Sequence, residues 1–156
     1  MPRLDAARVG VWRGMQALAG EIERNIDDEL RAEWDISLGW FDVLASLQQL
    51  GGTARPLDVA ADLRLPASSV SRRLDRLEEE GWIARHRGGA DVDRRAVVVE
   101  LTKSGRRLWR EMSVTYRRAL QALFASHLDA DDIADMQRVF DLLAIAGQDV
   151  IDDSTG

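Results

Sequence analysis

The sequence predicts a mainly α-helical fold with one small β-hairpin in its middle third. Apolar residues recur at spacings of three and four through most of the 156 residues, which is the period of amphipathic helices. The alternation that is typical of strands is confined to residues 82–101, on both sides of a glycine-containing turn. The expected class is therefore helices packed around a short hairpin.

The first third of the chain predicts three helices. A second helix runs over about 38–50 and stops at Gly51-Gly52, and Pro56 opens a short third helix over 57–63. The long first helix is marked by an apolar series at helical spacing: Leu4, Val11, Met15, Leu18, Ile22 and Ile26.

A fourth helix, at about 67–80, places Val70, Leu74 and Leu77 on one face and ends at Gly81. Two strands follow at 82–87 and 96–101, and they are joined by turn residues at 88–91. Thr102 is a good N-cap for a helix at 103–127, and the acidic run 129–132 begins a last helix.

This order of elements predicts a winged helix-turn-helix lobe at 37–102. The flanking stretches 1–36 and 103–150 carry apolar helix faces that such a lobe does not cover. A second copy of the chain is the simplest partner for these faces, so they form the expected helical dimerisation region.

The charge is distributed unevenly along the chain. The whole chain carries a formal charge of −6, but residues 64–95 hold eight arginines and six acidic residues, a net charge of +2. This contrast indicates an anion-facing surface on an acidic body. A solvated face of mixed charge would give the same composition.

Several classes of function have no support in the residues. The chain contains no cysteine and only two histidines, so neither a metal site nor a cofactor is expected. No nucleophile–base set and no glycine-rich phosphate loop appears, so the protein is not expected to be an enzyme. No apolar run is long enough for a membrane span and no secretory signal is present, so a cytoplasmic location is expected.

The fourth helix is the candidate for contact with double-stranded DNA. Small hydroxyl groups near its start would allow close entry into a groove, and arginines further along reach bases or phosphates. The candidate residues are Ser68, Ser69, Ser71, Arg72 and Arg76. An ordinary surface helix with capping serines is the alternative interpretation.

The turn of the hairpin presents Asp93, Arg94 and Arg95 before the second strand. Arginine on a narrow loop suits the minor groove, where negative potential is concentrated. A polar turn whose charges serve solubility is the alternative.

Two segments resemble the MarR family of transcription regulators. Residues 93–105, DRRAVVVELTKSG, are similar to the wing motif and the following helix, and residues 68–83, SSVSRRLDRLEEEGWI, resemble the recognition helix. The resemblance implies a homodimer on a near-palindromic operator, with repression relieved by a small aromatic or phenolic ligand. It also implies that Arg95 enters the minor groove and that Asp93 orients it. Pro66 departs from the family, which often has a serine N-cap there.

A second candidate site concerns an effector. Five tryptophans are many for this length, and Trp12 and Trp40 lie on helices expected to meet where the dimerisation region joins the lobe. Core packing is the alternative role for them. Arg73 leans towards the buried face of its helix and needs a carboxylate, for which Asp42 is the candidate. We therefore expect an anionic aromatic ligand to compete with Asp42 for Arg73.

The sequence thus predicts a ligand-responsive, DNA-binding transcription regulator that acts as a homodimer and as a repressor. The alternative is a winged-helix module that contacts only proteins, such as an anti-repressor or a dimerisation module. Neither the operator, the regulated genes nor the natural ligand follows from the residues.

Overall fold

A computed structural model describes residues 3–87 and 96–153 of the chain. The chain divides into two compact units, Met1–Ala119 and Leu120–Gly156. Within the described ranges, no helix combines the length and the apolar character that crossing a membrane requires. The predicted class is confirmed, because the described residues form mostly α-helices and one small antiparallel sheet.

The described elements follow the predicted order. The helices are α1 (Ala6–Trp34), α2 (Leu38–Gln49), α3 (Pro56–Leu63), α4 (Ala67–Glu79), α5 (Lys103–Leu123) and α6 (Ala130–Asp153). The strands are β1 (Thr53–Ala54), β2 (Ile83–Arg87) and β3 (Val97–Leu101).

Local side-chain hydrogen bonds set the boundary between α1 and α2. Asp35 ends α1 in the left-handed conformation, with φ 55°. The Asp27 carboxylate, about two helical turns before that end, accepts a hydrogen bond of 2.7 Å from the Leu38 amide. A residue of α1 therefore satisfies one of the free N–H groups in the first turn of α2.

The β-structure contains one strand more than the predicted hairpin. β1 pairs with β3, so the sheet has three antiparallel strands in the order β1-β3-β2. Gly51 and Gly52 lead into β1 with φ angles of +91° and +89°, a conformation that favours glycine. Because β1 has only two residues, its sequence is too short to show the alternation that predicts a strand.

The elements from α2 to β3, the predicted lobe, share one apolar core. Leu44 and Leu47 of α2, Val59 of α3 and Val99 of β3 are completely buried. They pack with the buried face of α4 in one cluster. Burial of this size is the main stabilising contribution to a domain of this kind.

α5 begins as predicted and ends earlier than predicted. The Thr102 hydroxyl accepts a hydrogen bond of 3.1 Å from the Gly105 amide, which is the expected N-cap. The α-helix stops at Leu123, not near residue 127, and a short 3-10 turn, Ala125–His127, follows it. Ser126 Oγ donates to the Ala122 carbonyl at 3.2 Å, and this bond satisfies one of the free carbonyls at the helix end.

Polar and aromatic contacts join α5 to the first two helices in the first unit. Trp34 Nε1 donates to Thr115 Oγ1 at 2.9 Å, and the Phe41 and Tyr116 rings stack with centroids 4.9 Å apart. Arg118 lies 2.8 Å from Glu33 and 3.6 Å from Glu29. These contacts hold the C-terminal part of α1 and the start of α2 against α5.

The described residues do not cover the first part of α1 in this way. Val11, Trp12, Met15 and Leu18 are exposed there, and so is Leu4 just before the helix. In the second unit, reciprocal hydrogen bonds between Asp129 and Asp132 begin α6, as the acidic run predicts. α6 also exposes apolar side chains, namely Val139, Phe140, Leu142 and Leu143.

Candidate nucleic-acid interface and the neighbouring cleft

α4 presents a polar face to solvent because its apolar face is fully used by the core. Val70, Leu74 and Leu77 are completely buried. Of the predicted DNA-contacting residues on the helix, Ser69 is half-buried and the other four are exposed, namely Ser68, Ser71, Arg72 and Arg76. The two serines and two arginines that are exposed form one accessible surface along the helix.

The start of α4 has no side-chain cap. Pro66 is the N-cap residue, and its side chain makes no capping hydrogen bond. The departure from a serine cap noted in the sequence therefore has a structural consequence: no hydroxyl oxygen neutralises the first turn. The N–H groups of that turn and the helix dipole favour an anion such as a phosphate there.

The exposed charges of α4 differ in their partners. Arg76 lies 3.0 Å from Glu79, one turn along the same helix. Arg72 forms no ion pair within residues 3–87 and 96–153, so its guanidinium remains available for an external anion.

Two acidic residues of α4 pair with a strand residue that the sequence did not identify as part of the site. Arg85 of β2 donates from Nη1 to Glu78 Oε2 and from Nη2 to Asp75 Oδ1, both at 2.7 Å. Part of the signal for this pairing was present in the sequence. Arg85 shares a strand face with the buried Ile83, and the two acids stand three residues apart on the preceding helix.

The other predicted DNA-contacting residues, Asp93, Arg94 and Arg95, lie outside the residues that the structure describes. The structure gives the two strands to which their segment is attached. β2 and β3 are antiparallel, and Arg87 at the end of β2 faces Val97 at the start of β3. The predicted roles of the three residues remain predictions.

Arg73 lies on the opposite edge of α4 from the exposed serines, as its position towards the core predicts. It is half-buried, and its Nη1 donates to the Gly39 carbonyl oxygen at 3.2 Å. A methyl group at Gly39 would lie 3.0 Å from the Arg73 Cζ atom, so glycine leaves room for the guanidinium. Arg73 thereby connects α4 to the first turn of α2.

Arg73 and Asp42 line the same open cleft of about 540 Å³. Residues of α1 and α2 and the apolar side chains Leu63 and Leu65 form the rest of its wall. Of the carboxylates in the described ranges, none lies within ion-pairing distance of Arg73, whose hydrogen bond goes to Gly39 instead. The structure therefore brings the two predicted residues together without pairing them directly.

Burial raises the pKa of Asp42 to about 6. The positive charge of Arg73 opposes this rise, and the negative charge of Glu23 on α1 adds to it. Burial also raises the pKa of Tyr116, with Asp42 and Glu23 contributing. Asp42 is therefore a carboxylate whose charge is costly at neutral pH, which suits a site where a ligand or a proton changes the balance.

The two predicted tryptophans do not line this cleft. Trp40 packs edge-on against Trp82, with ring centroids 6.1 Å apart, and it borders a second cleft with Arg72, Arg73 and Arg76. Trp12 is 59% exposed on the first part of α1. Within the described ranges, no group of three or more acidic or histidine side chains could hold a metal ion.

Part of the chain is similar in sequence to known transcription regulators. Residues 34–96 match the model of the MarR family, described as MarR_2. The HTH-type transcriptional regulator PecS of Dickeya dadantii is 31% identical over 106 residues, which are 67% of this chain and 62% of PecS. The chain thus matches less than two thirds of the length of that relative.

Two solved structures have a similar fold. Sco3205, a MarR family transcriptional regulator from Streptomyces coelicolor solved in complex with DNA, is 22% identical with a TM-score of 0.81, covering 92% of this chain and 90% of Sco3205. The organohalide-sensing transcriptional regulator RdhR in its 2,4-dichlorophenol-bound form is 21% identical with a TM-score of 0.74, covering 92% and 84%. At these identities the likeness concerns the fold alone.

Proposed function

The chain belongs to the MarR family, and on that premise we propose that it is a DNA-binding transcription regulator that acts as a repressor. The observation that supports this proposal is the division of α4 into a fully buried apolar face and an exposed face of serines and arginines. Such a helix can enter a major groove while its other side remains fixed to the lobe. Sco3205, which has the same fold, was solved with DNA.

The proposed active form is a homodimer on a near-palindromic operator. We assign residues 37–102 to the DNA-binding lobe and residues 1–36 and 103–150 to the dimerisation region. The exposed apolar residues of the first part of α1 support this division, because a second copy would remove them from water. Two lobes related by two-fold symmetry would place two recognition helices in successive major grooves.

Selection of duplexes from a random pool, followed by titration with the selected operator, tests the DNA-binding proposal. We expect Arg95→Ala and Arg72→Ala each to weaken operator binding by about 1–3 kcal/mol if a base contact is lost. A lost phosphate contact would instead lower the salt slope by about one. Arg110→Ala, which removes an exposed arginine of α5, is the matched control and should leave binding unchanged.

The same titration separates DNA binding from the alternative, a winged-helix module that contacts only proteins. The acidic charge of −6 for the whole chain is the observation that favours this alternative. Such a module would select no sequence, and its weak binding to duplexes would not depend on Arg72 or Arg95. Either arginine effect would exclude it.

The proposed effector site is the cleft shared by Asp42 and Arg73. An anionic aromatic ligand would draw Arg73 away from the Gly39 carbonyl and compete with Asp42 for its positive charge. Because Arg73 belongs to α4, the ligand would shift the recognition helix. Linkage requires that such a ligand bind more tightly to the form that does not bind DNA.

Release of the operator by a panel of phenols and aromatic carboxylates, including 2,4-dichlorophenol, tests the effector site. We expect Arg73→Ala to abolish release without abolishing operator binding. Gly39→Ala should weaken release as well, because its methyl group would displace the guanidinium while keeping the charge. Unchanged release by both variants would place the effector elsewhere.

A further inference from the structure

Among the described residues, Arg85 is a strand residue that pairs with acidic side chains of α4. Arg85 lies in the middle of β2, opposite Val99 of β3 in the sheet register. Val99 is completely buried, so this position of the sheet is anchored in the core of the lobe. The guanidinium then reaches Asp75 and Glu78 on α4, at 2.7 Å each.

The two contacts join α4 to β2, and they also balance the charge of Arg85 against two carboxylates. Asp75 and Glu78 lie on adjacent turns of α4, and a planar guanidinium can hold one with each of its terminal nitrogens. The Arg85 side chain is 28% exposed, less than either partner. The arrangement therefore limits both sliding and rotation of α4 against the strand that leads to the wing.

We infer that Arg85 is a positioning residue, which sets the angle between α4, the proposed recognition helix, and β2, so that α4 and the segment that follows β2 both reach their grooves on one operator. This inference rests on the proposed function, because it assigns a role within DNA binding. Arg85 acts here through Asp75 and Glu78, and it is not assigned a contact with DNA.

The same contacts would also form if Arg85 only neutralised the acidic side chains of α4. Asp75 is exposed on the face of α4 that carries Arg72 and Arg76, where a carboxylate would repel phosphates. Arg85 could then serve only to neutralise Asp75 and Glu78. The two roles make opposite predictions for a variant that removes the acids and keeps the arginine.

The decisive variant is Asp75→Asn combined with Glu78→Gln. It removes the link and makes α4 more positive by two charges. If Arg85 positions the helix, affinity for the selected operator falls about tenfold, the loss expected for one misplaced base contact, while affinity for a random duplex rises. If Arg85 only neutralises, both affinities rise together, and the inference is wrong.

Arg85→Ala and Arg85→Lys complete the series. Lysine keeps the charge but its single ammonium cannot hold two carboxylates in one plane, so we expect both variants to lose operator affinity. The matched control is Arg118→Ala, because Arg118 also pairs with two acids, Glu29 and Glu33, away from α4 and the wing. Arg118→Ala should cost similar stability without changing the geometry of α4 relative to β2, which the label distances below measure. Full operator affinity of the lysine variant would overturn the inference.

A measurement without DNA separates failure of this inference from failure of the proposed function. The chain has no cysteine, so spin labels can be placed on Ala67→Cys of α4 and Arg87→Cys of β2, with unlabelled protein in excess to isolate distances within one chain. We expect the distance distribution between the labels to broaden with Arg85→Ala and to stay narrow with Arg118→Ala. An unchanged width with Arg85→Ala would overturn the inference even if the protein binds DNA.

Discussion

The lobe and the first half of α1 contain similar apolar residues, but only those of the lobe are buried within the chain. In the lobe, Leu44, Leu47, Leu74 and Leu77 are completely buried against one another within a single chain. Along α1, Val11, Met15 and Leu18 have equal helical periodicity and remain exposed. The comparison shows that the lobe buries its apolar side chains within the chain, whereas the described residues leave those of the first part of α1 exposed, and a second copy is their proposed partner.

This difference also assigns the two regions separate contributions to the proposed activity. In the proposed complex, the lobe supplies the shape and charge of one half of the interface with DNA. The partner of α1 would supply the second half, by fixing the distance between two lobes. A substitution in the lobe should therefore leave association through α1 measurable, and a substitution in α1 should leave folding of the lobe measurable.

A charge placed on the apolar stripe of α1 should have the largest effect. Leu18→Glu adds a carboxylate to a side chain that is 53% exposed in one chain, so the lobe should fold normally. If a second copy covers this side chain, the dimer dissociates and operator affinity falls by about 100-fold or more, because two half-sites are no longer bound together. Sedimentation and duplex titration measure the two effects.

Gln16→Glu is the control for this variant, since Gln16 is exposed on the opposite side of α1 and undergoes the same change in charge. It should remain dimeric. Equal dissociation by both variants would show that the net charge of α1, and not the apolar stripe, controls association.

Truncation of a core leucine should have the next largest effect, and it concerns the lobe alone. Leu74→Ala leaves a cavity at a completely buried position and should reduce the free energy of unfolding by about 3 kcal/mol. Leu57→Ala, at a side chain that is 69% exposed, should change it by less than about 0.5 kcal/mol. Urea unfolding gives both values, and a similar loss for both would contradict the assigned core.

The smallest expected effect is a pH-dependent gain in the free energy of unfolding when Asp42, in the proposed effector cleft, is replaced by asparagine. Folding raises the pKa of Asp42 from its ordinary value of 3.8 to about 6, so the folded chain holds this proton more tightly than the unfolded chain. The contribution of Asp42 to stability therefore falls as pH rises between these two values and stays unfavourable above them. Asp42→Asn should remove this loss.

We expect Asp42→Asn to match the parent chain below about pH 4 and to exceed it by roughly 1 kcal/mol above pH 7, after allowance for partial exposure to solvent. A gain of that size raises Tm by about 3 °C in a chain of this length. Thermal unfolding over this pH range provides the measurement. A variant that is less stable above pH 7 would show that the charged form of Asp42 is favoured by Arg73 more than it is penalised by burial.

The helices could be predicted from the sequence because each has a long apolar period and a clear start or stop. Gly51-Gly52, Pro56 and Gly81 mark three of these boundaries, and each acts through local backbone geometry that neighbours in sequence determine. β1 could not be predicted in the same way, because two residues carry no period and their pairing with β3 depends on the folded chain. The early end of α5 also depends on side chains that bind the final carbonyls.

Prediction of the candidate site from the sequence was limited in the same way. The exposed face of α4 follows from its period, so Ser68, Ser71, Arg72 and Arg76 could be placed from the sequence. The hydrogen bond of Arg73 to the Gly39 carbonyl could not, because a backbone acceptor leaves no trace in residue type. Arg85 was detectable only as an arginine on the inner face of a strand, and its two partners required the packing of that strand on α4.

The most direct test of the whole account is the stoichiometry of the complex with a selected operator duplex, measured by sedimentation at low and at moderate salt. We expect two chains on each duplex, with an affinity that falls steeply as salt increases. A single chain bound per duplex at full affinity, or no binding to any duplex at low salt, would contradict the proposed dimeric, DNA-binding function.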